Sequence, residues 1–144
     1  MTPTGQDWRS KWLIPIAGIV VIGNHGVQLF KIAVATFAVK LRSIDVSNIP
    51  IDETRQWTFY YGPISGLVEA VALISLGVAL IRRNVIACHI LVWLLPLILV
   101  HDLIYAKLIG ARLEDMAMFS VLDVVAWIAL LFVEFDRRRS RSNS

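Results

Sequence analysis

Four long apolar runs, each near the length that crosses a bilayer, constrain this chain more than any other feature. A spanning helix needs about 20 mostly apolar residues. The runs extend from about Trp12 to Val39, Thr58 to Ile81, Val85 to Leu108 and Met116 to Phe135. Together they take up most of the 144 residues, leaving room for one domain and no second one. Hydrophobic residues make up 57% and charged residues 17%. An ordinary soluble domain is about 45–50% apolar and about 25% charged. A soluble fold of this size could not hide so much apolar surface. The expected fold is all-α, an integral membrane four-helix bundle.

Arg9 and Lys11 ahead of the first run, with Ala35-Thr36-Phe37-Ala38 beyond it, resemble a cleaved leader superficially. The length of the run and the polar residues in its second half favour a retained span.

The charge pattern sets the expected orientation. Arg9, Lys11, Arg82, Arg83, Arg137, Arg138, Arg139 and Arg141 fall on one side of the four spans. Lys40, Arg42, Arg55, Lys107 and Arg112 fall on the other, balanced by Asp45, Asp52, Glu53, Glu114 and Asp115. The positive-inside rule then places both termini in the cytoplasm. The formal net charge of +3 is explained by these anchors and forms no basic face, so no nucleic-acid partner is expected. The arginine-rich tail is compatible with contact to anionic lipid. Cys88 stands alone in an apolar run, which excludes an internal disulfide and a thiol-pair mechanism. It reads as a small buried hydrophobe. The connection from Lys40 to Trp57 carries Ile44, Val46, Ile49, Ile51 and Trp57, and serves either as a surface lid over the bundle mouth or as a plain connector.

Ionisable residues inside a span are expensive and usually face the bundle interior. Span one holds Asn24, His25, Gln28 and Lys31, and span two holds Tyr61, Ser65 and Glu69. Span three holds His89, His101, Asp102 and Tyr105, and span four holds Ser120 and Asp123. At about 100° per residue, Asn24, Gln28 and Lys31 share a face flanked by His25. Tyr61, Ser65 and Glu69 make one stripe. His101, Asp102 and Tyr105 cluster, and Ser120, Asp123 and Trp127 share a face. Glu69, Asn24 and His25 lie near mid-span. At ~1.5 Å per residue, His101 and Asp102 lie ~8 Å toward the non-cytoplasmic side, and Lys31 and Asp123 lie ~9 Å and ~5 Å that way. His89 is the exception, near the cytoplasmic end on another face. Lys31, Glu69, Asp102 and Asp123 would together cost on the order of 10 kcal/mol if they faced lipid. A polar cavity open or lidded toward the non-cytoplasmic face is expected. Asn24, Gln28, Ser65 and Ser120 also suit simple helix–helix hydrogen bonding, and Lys31 with a carboxylate suits a structural ion pair.

Gly62 and Gly66 form a small-xxx-small pattern that permits close helix approach, and Gly18, Gly23 and Gly26 offer the same in span one. Pro63 falls in the first turn of span two, where its missing donor does little harm. Pro96 is mid-span and should kink span three. Trp57, Tyr60, Tyr61 and Tyr105 suit an interface belt, whereas Trp93 and Trp127 are deeper and could line a pocket or pack.

No cofactor is expected. Haem would need facing histidines, for which His25 and His101 are the pair to test. Metal is weakly supported, since no His-x-x-x-His or Glu-x-x-His pattern occurs in a span. No phosphate loop or nucleophile elbow occurs either.

Acid–base chemistry fits best, because a carboxyl in a dry pocket can serve as a general acid near neutral pH. Glu69, the deepest, is the acid candidate. Asp102, Asp123 and His101 are base or partner candidates. Asn24, His25, Gln28, Lys31, Tyr61, Ser65, Trp93, Tyr105 and Trp127 would line the substrate site, with tryptophan faces stabilising developing positive charge. The expected function is isomerisation, cyclisation or epoxide opening of a terpenoid- or sterol-like lipid. This general plan resembles the small membrane sterol isomerases and membrane terpene cyclases, which also use intramembrane acidic residues. The likeness is one of architecture, with no motif matched residue by residue, so no catalytic position carries over from it.

The same buried groups could instead serve a small proton-coupled carrier. Small multidrug carriers place an essential Glu in their first span, where this chain has Lys31. A third reading is an accessory subunit whose polar stripe docks on a larger membrane complex. A homo-oligomer is compatible with this layout.

Overall fold

The computed structural model describes the backbone of residues 5–41, 53–109 and 113–142, and the side chains of 11–34, 36–37, 61–108 and 120–139. Those residues are all helical apart from one tight turn. Helix α1 is Gly5–Leu41, α2 is Glu53–Ile81, α3 is Val85–Ile109 and α4 is Leu113–Ser142. Among the described residues three stretches are long and apolar enough to cross a membrane: Lys11–Val34, Tyr61–Ile81 and Val85–Leu108, with mean hydropathies of 1.7, 2.3 and 2.1. The fourth expected span lies within α4, and its side chains before Ser120 lie outside the described residues. So do residues 42–52 of the expected lid and the side chains of Trp57, Tyr60, Arg9, Arg112 and Arg141.

The helices form an alternating bundle. Early α1 meets late α2 at Gly18 and Gly77. Early α2 meets late α3 at Tyr61 and His101, and early α3 meets late α4 at His89 and Glu134. Helix α1 also packs on α4, closing the ring. The α1–α2 seam is the most extensive and the α2–α3 seam the least.

The interior is divided along its axis. Its apolar part contains Ile14, Ala17 and Val21 of α1, Leu73 and Leu80 of α2, Ala87 to Leu95 of α3 and Ala126 to Val133 of α4. All of these lie in the half where α1 and α3 begin and α2 and α4 end. Cys88 is fully buried among them. The other half holds the polar residues. Outward, every helix presents large apolar side chains, including Phe30, Val68, Ile86, Leu97 and Phe132, each more than 60% exposed.

The α1–α2 seam is tight because two glycines face each other across it. A Cβ on Gly18 would stand 2.7 Å from the Gly77 carbonyl oxygen and 3.1 Å from the Leu80 Cβ. A Cβ on Gly77 would stand 2.7 Å from Ile22 and 3.0 Å from the Gly18 carbonyl. Gly18 therefore behaves as expected, with Gly77 as its partner. Gly23 and Gly26 do not, since a Cβ on either would meet nothing within 4 Å. In α2, Gly66 faces Ile32 at 3.2 Å, whereas Gly62 makes room for the Tyr105 side chain rather than for another backbone.

Helix α2 ends in a reversal two residues long. Arg83 takes a φ of 58°, its N–H donates to the Leu80 carbonyl at 2.7 Å, and the Asn84 N–H donates to the Ala79 carbonyl at 3.0 Å. This is a Schellman close with arginine where glycine is usual. Asn84 then caps α3, its Oδ1 accepting from the N–H groups of Ile86 at 2.9 Å and Ala87 at 3.3 Å. Pro63 lies well inside α2, because that helix starts at Glu53 rather than Thr58. The expectation that it occupies a first turn is corrected accordingly.

The glycine seam gives a stability prediction. Gly18→Ala must push two backbones apart and is expected to cost about 1–3 kcal/mol. Gly23→Ala, with open space around it, should cost nothing and gain helix propensity. Thermal unfolding in mild detergent compares the two; an equal response in both would mean that the seam is not close-packed.

Candidate functional site

The polar half divides into two hydrogen-bonded groups. The first joins α1 to α4. His25 Nε2 lies 3.2 Å from Asp123 Oδ1, and His25 Nδ1 lies 2.9 Å from Gln28 Oε1. His25 is 2% exposed, and Asp123 and Asn24 are each 4% exposed. The imidazole thus faces two oxygens, and a neutral ring can donate to only one. Either the ring is an imidazolium or the Gln28 amide turns to present its NH₂. A buried pair of this kind is costly to break, because a lone charge would remain. It therefore ties α1 to α4 from within, out of contact with solvent.

The second group joins α2 to α3. The Tyr61 hydroxyl lies 3.0 Å from His101 Nε2, and His101 Nδ1 lies 3.2 Å from Asp102 Oδ1. A carboxylate can only accept, so Asp102 draws the imidazole proton to Nδ1. Nε2 is then bare and accepts the phenolic proton. The result is a relay from hydroxyl through imidazole to carboxylate, as in nucleophilic triads, with tyrosine at the outer end. Tyr105 stacks on His101, with ring centroids 6.5 Å apart and planes 10° off parallel. Its hydroxyl occupies the space left by Gly62. Tyr61, His101, Asp102 and Tyr105 are all half-buried, so this group is within reach of a ligand.

Glu69 stands beside the relay. Ligand atoms of Glu69, His101 and Asp102 lie within 4.8 Å of one another. Glu69 Oε1 is buried and has no hydrogen-bond partner among the described residues. The charges of Asp102, His25, His101 and Asp123 all bear on Glu69, which links the two groups electrostatically. These three residues are also the ones that could bracket a cation. Both His101 nitrogens are already engaged, so a cation would have to displace Tyr61 or Asp102 from the ring. The histidines proposed for haem, His25 and His101, belong to different groups, each held by its own carboxylate.

Not every candidate joins the site. Lys31 is exposed on α1. Trp93 is 62% exposed and points out of the bundle. Ser65 donates to the Gly62 carbonyl of its own helix at 3.1 Å. Trp127 has a backbone role. Pro96 has no N–H, so the Val92 carbonyl one turn earlier loses its helical donor. The Trp127 indole N–H donates to that carbonyl at 2.8 Å and lets α3 run on through the proline.

A further group was not foreseen from sequence. At the basic end, Glu134 lies 3.6 Å from His89 and 3.3 Å from Arg138. The spacing of Glu134, Arg137 and Arg138 along one helical face was the available signal.

Trp127→Phe removes the donor that replaces the missing proline amide, and should cost about 1–3 kcal/mol for the buried carbonyl left behind. In a Pro96→Ala background, where the amide returns, most of that cost should vanish. A double-mutant cycle by denaturant unfolding isolates the term; an equal cost in both backgrounds would assign Trp127 to packing alone.

Comparison with known proteins adds no relative: no family model, no curated protein and no solved structure matches the chain.

Proposed function

We propose that the chain is an integral membrane enzyme. In this reading four helices cross the bilayer, with both termini on the cytoplasmic side. Tyr61, His101, Asp102 and Glu69 carry out acid–base isomerisation, cyclisation or epoxide opening of a hydrophobic terpenoid- or sterol-like molecule. The observation that carries this reading is the Tyr61–His101–Asp102 relay beside the buried Oε1 of Glu69, which has no hydrogen-bond partner among the described residues. Three spans of sufficient length and apolarity support the bilayer setting. The end rich in Lys11, Arg82, Arg83, Arg137, Arg138 and Arg139 supports the orientation.

The chemistry balances over one turnover. Glu69 gives a proton to the substrate, at an alkene carbon or an epoxide oxygen. Tyr61 takes a proton from the adjacent position, or from an attacking water, as its own proton passes to His101 Nε2. Asp102 stabilises the imidazolium that forms. The imidazolium then passes its proton through a bridging water to Glu69, whose ligand atom lies within 4.8 Å of the ring's, and the enzyme is restored. For isomerisation no external oxidant, reductant or cofactor enters this sequence.

A nearby apolar groove supports the choice of a hydrophobic substrate. A groove of about 340 Å³ runs between α1 and α2, lined by Leu29, Ile32, Ala33, Thr36, Phe37 and Leu67. It begins one residue beyond Gln28 and opens on the outer face. Such a groove suits an apolar body entering sideways from lipid. His25 and Asp123 become positioning residues that hold α1 against α4, which revises the catalytic role expected of Asp123.

The test begins with small hydrophobic molecules that copurify in mild detergent, identified by mass spectrometry. Wild type should carry a defined terpenoid- or sterol-like species and convert it. Glu69→Gln, Tyr61→Phe and Asp102→Asn should fold with unchanged unfolding midpoints and lose about 10²–10⁴-fold in turnover. Only bulk phospholipid in every sample, or unfolding of all three variants, would make the polar group structural and turn attention to transport or docking.

A further inference from the structure

At the opposite end of the bundle from the relay, a cleft lies between the start of α3 and the end of α4. Its volume is about 470 Å³, and it is lined by Val85, Ile86, His89, Glu134, Arg137 and Arg138. Ligand pockets commonly fall between about 300 and 1,000 Å³. We propose that this cleft seats the phosphoryl headgroup of an anionic phospholipid.

Three observations carry the proposal. First, the Arg137 Nη1 is buried and has no hydrogen-bond partner among the described residues. A guanidinium donor shut away from water needs an acceptor, and the planar fork of arginine matches phosphate oxygens. Second, the carboxylate that lines the cleft is already engaged, since Glu134 faces His89 at 3.6 Å and Arg138 at 3.3 Å. Among the lining arginines and carboxylate, Arg137 and Arg138 against Glu134 leave one positive charge in the cleft. Arg82 and Arg83, both exposed, flank the start of α3 and add to it. The end of α3 itself contributes little, because Asn84 already occupies the N–H groups of Ile86 and Ala87.

Third, the other wall is apolar and open. Val85 is 52% and Ile86 69% exposed. A guanidinium beside uncovered aliphatic side chains fits an amphiphile, with its headgroup on Arg137 and a chain along Ile86. Free phosphate would leave that wall wet. Anionic lipid also concentrates where the positive-inside rule places this end. The proposal rests on the bilayer reading and is independent of the relay chemistry.

The experiment uses the full chain in mild detergent, with binding of dioctanoyl phosphatidylglycerol followed by native mass spectrometry. Dioctanoyl phosphatidylcholine and inorganic phosphate serve as the other probes. Phosphatidylglycerol should bind at least about tenfold more tightly than either. Arg137→Gln should abolish that preference, whereas Arg139→Gln, with the same change in net charge outside the cleft, should hold affinity within about twofold. Glu134→Gln removes the competing carboxylate and should tighten binding a few-fold. That variant keeps a test in hand if Arg137→Gln fails to fold.

Equal loss in the Arg137 and Arg139 variants, weaker binding in Glu134→Gln, or phosphate binding as tight as lipid would each overturn the proposal. Reconstitution into nanodiscs separates the two readings. A chain that does not insert refutes the bilayer setting, while one that inserts and ignores headgroup charge refutes this site alone.

Discussion

The rest of the structure depends on one constraint: polar groups on these helices must find their partners inside the bundle, because the outer faces are apolar on all four. The chain meets it by dividing the interior along its length. One half is filled by Leu73, Leu80, Leu91, Leu95 and Leu130 and their neighbours. The other half takes His25, His101, Glu69, Asp102, Asp123, Tyr61 and Tyr105. In the proposed bilayer setting, apolar side chains gain little by leaving lipid for one another, so the packed half would hold through close fit. That explains the facing glycines at 18 and 77. It also explains the indole at Trp127, which supplies the one hydrogen bond that Pro96 removes from α3.

The four helices were legible because helix length and apolar content leave few alternatives. The polar face of each helix was legible for the same reason, since spacing at 3.6 residues per turn fixes direction. His25, expected near mid-span, and Asp123, expected ~5 Å from it along the axis, meet. Glu69, His101 and Asp102 also meet, although axial rise alone sets Asp102 ~8 Å from the level of Glu69. Side-chain reach closes that gap. What spacing could not supply was partnership. Nothing in the positions of Lys31, His25 and the carboxylates says which cation takes Asp123, and the structure gives it to His25. Trp93 lies as deep in α3 as a pocket residue would, yet helical phase turns it outward. Gly77 escaped notice because its spacing pattern spans two helices.

Burial and access separate the two hydrogen-bonded groups by role. His25 and Asp123 are closed on all sides, so their geometry can change only if α1 and α4 part. Tyr61, His101 and Asp102 are half-buried, so a ligand can reach them without such a movement. The closed pair is suited to hold a scaffold, and the open chain is suited to exchange protons.

The distribution of helix contacts bears on which of the functional readings is sound. A carrier must expose its site to each side in turn, which requires at least one seam to slide. The α1–α2 seam resists sliding, because backbone meets backbone at Gly18 and Gly77. The α1–α4 seam resists it through a buried charged or hydrogen-bonded pair. Among the described residues the α2–α3 seam is the least extensive, and the relay bridges it. Separating α2 from α3 would break the Tyr61–His101 hydrogen bond, disassembling the very groups a carrier would need in both states. Slight parting there would instead admit a ligand beside Glu69 while Asp102 keeps the imidazole oriented. A fixed scaffold with one less extensive seam at the relay favours the proposed enzyme reading over the carrier reading.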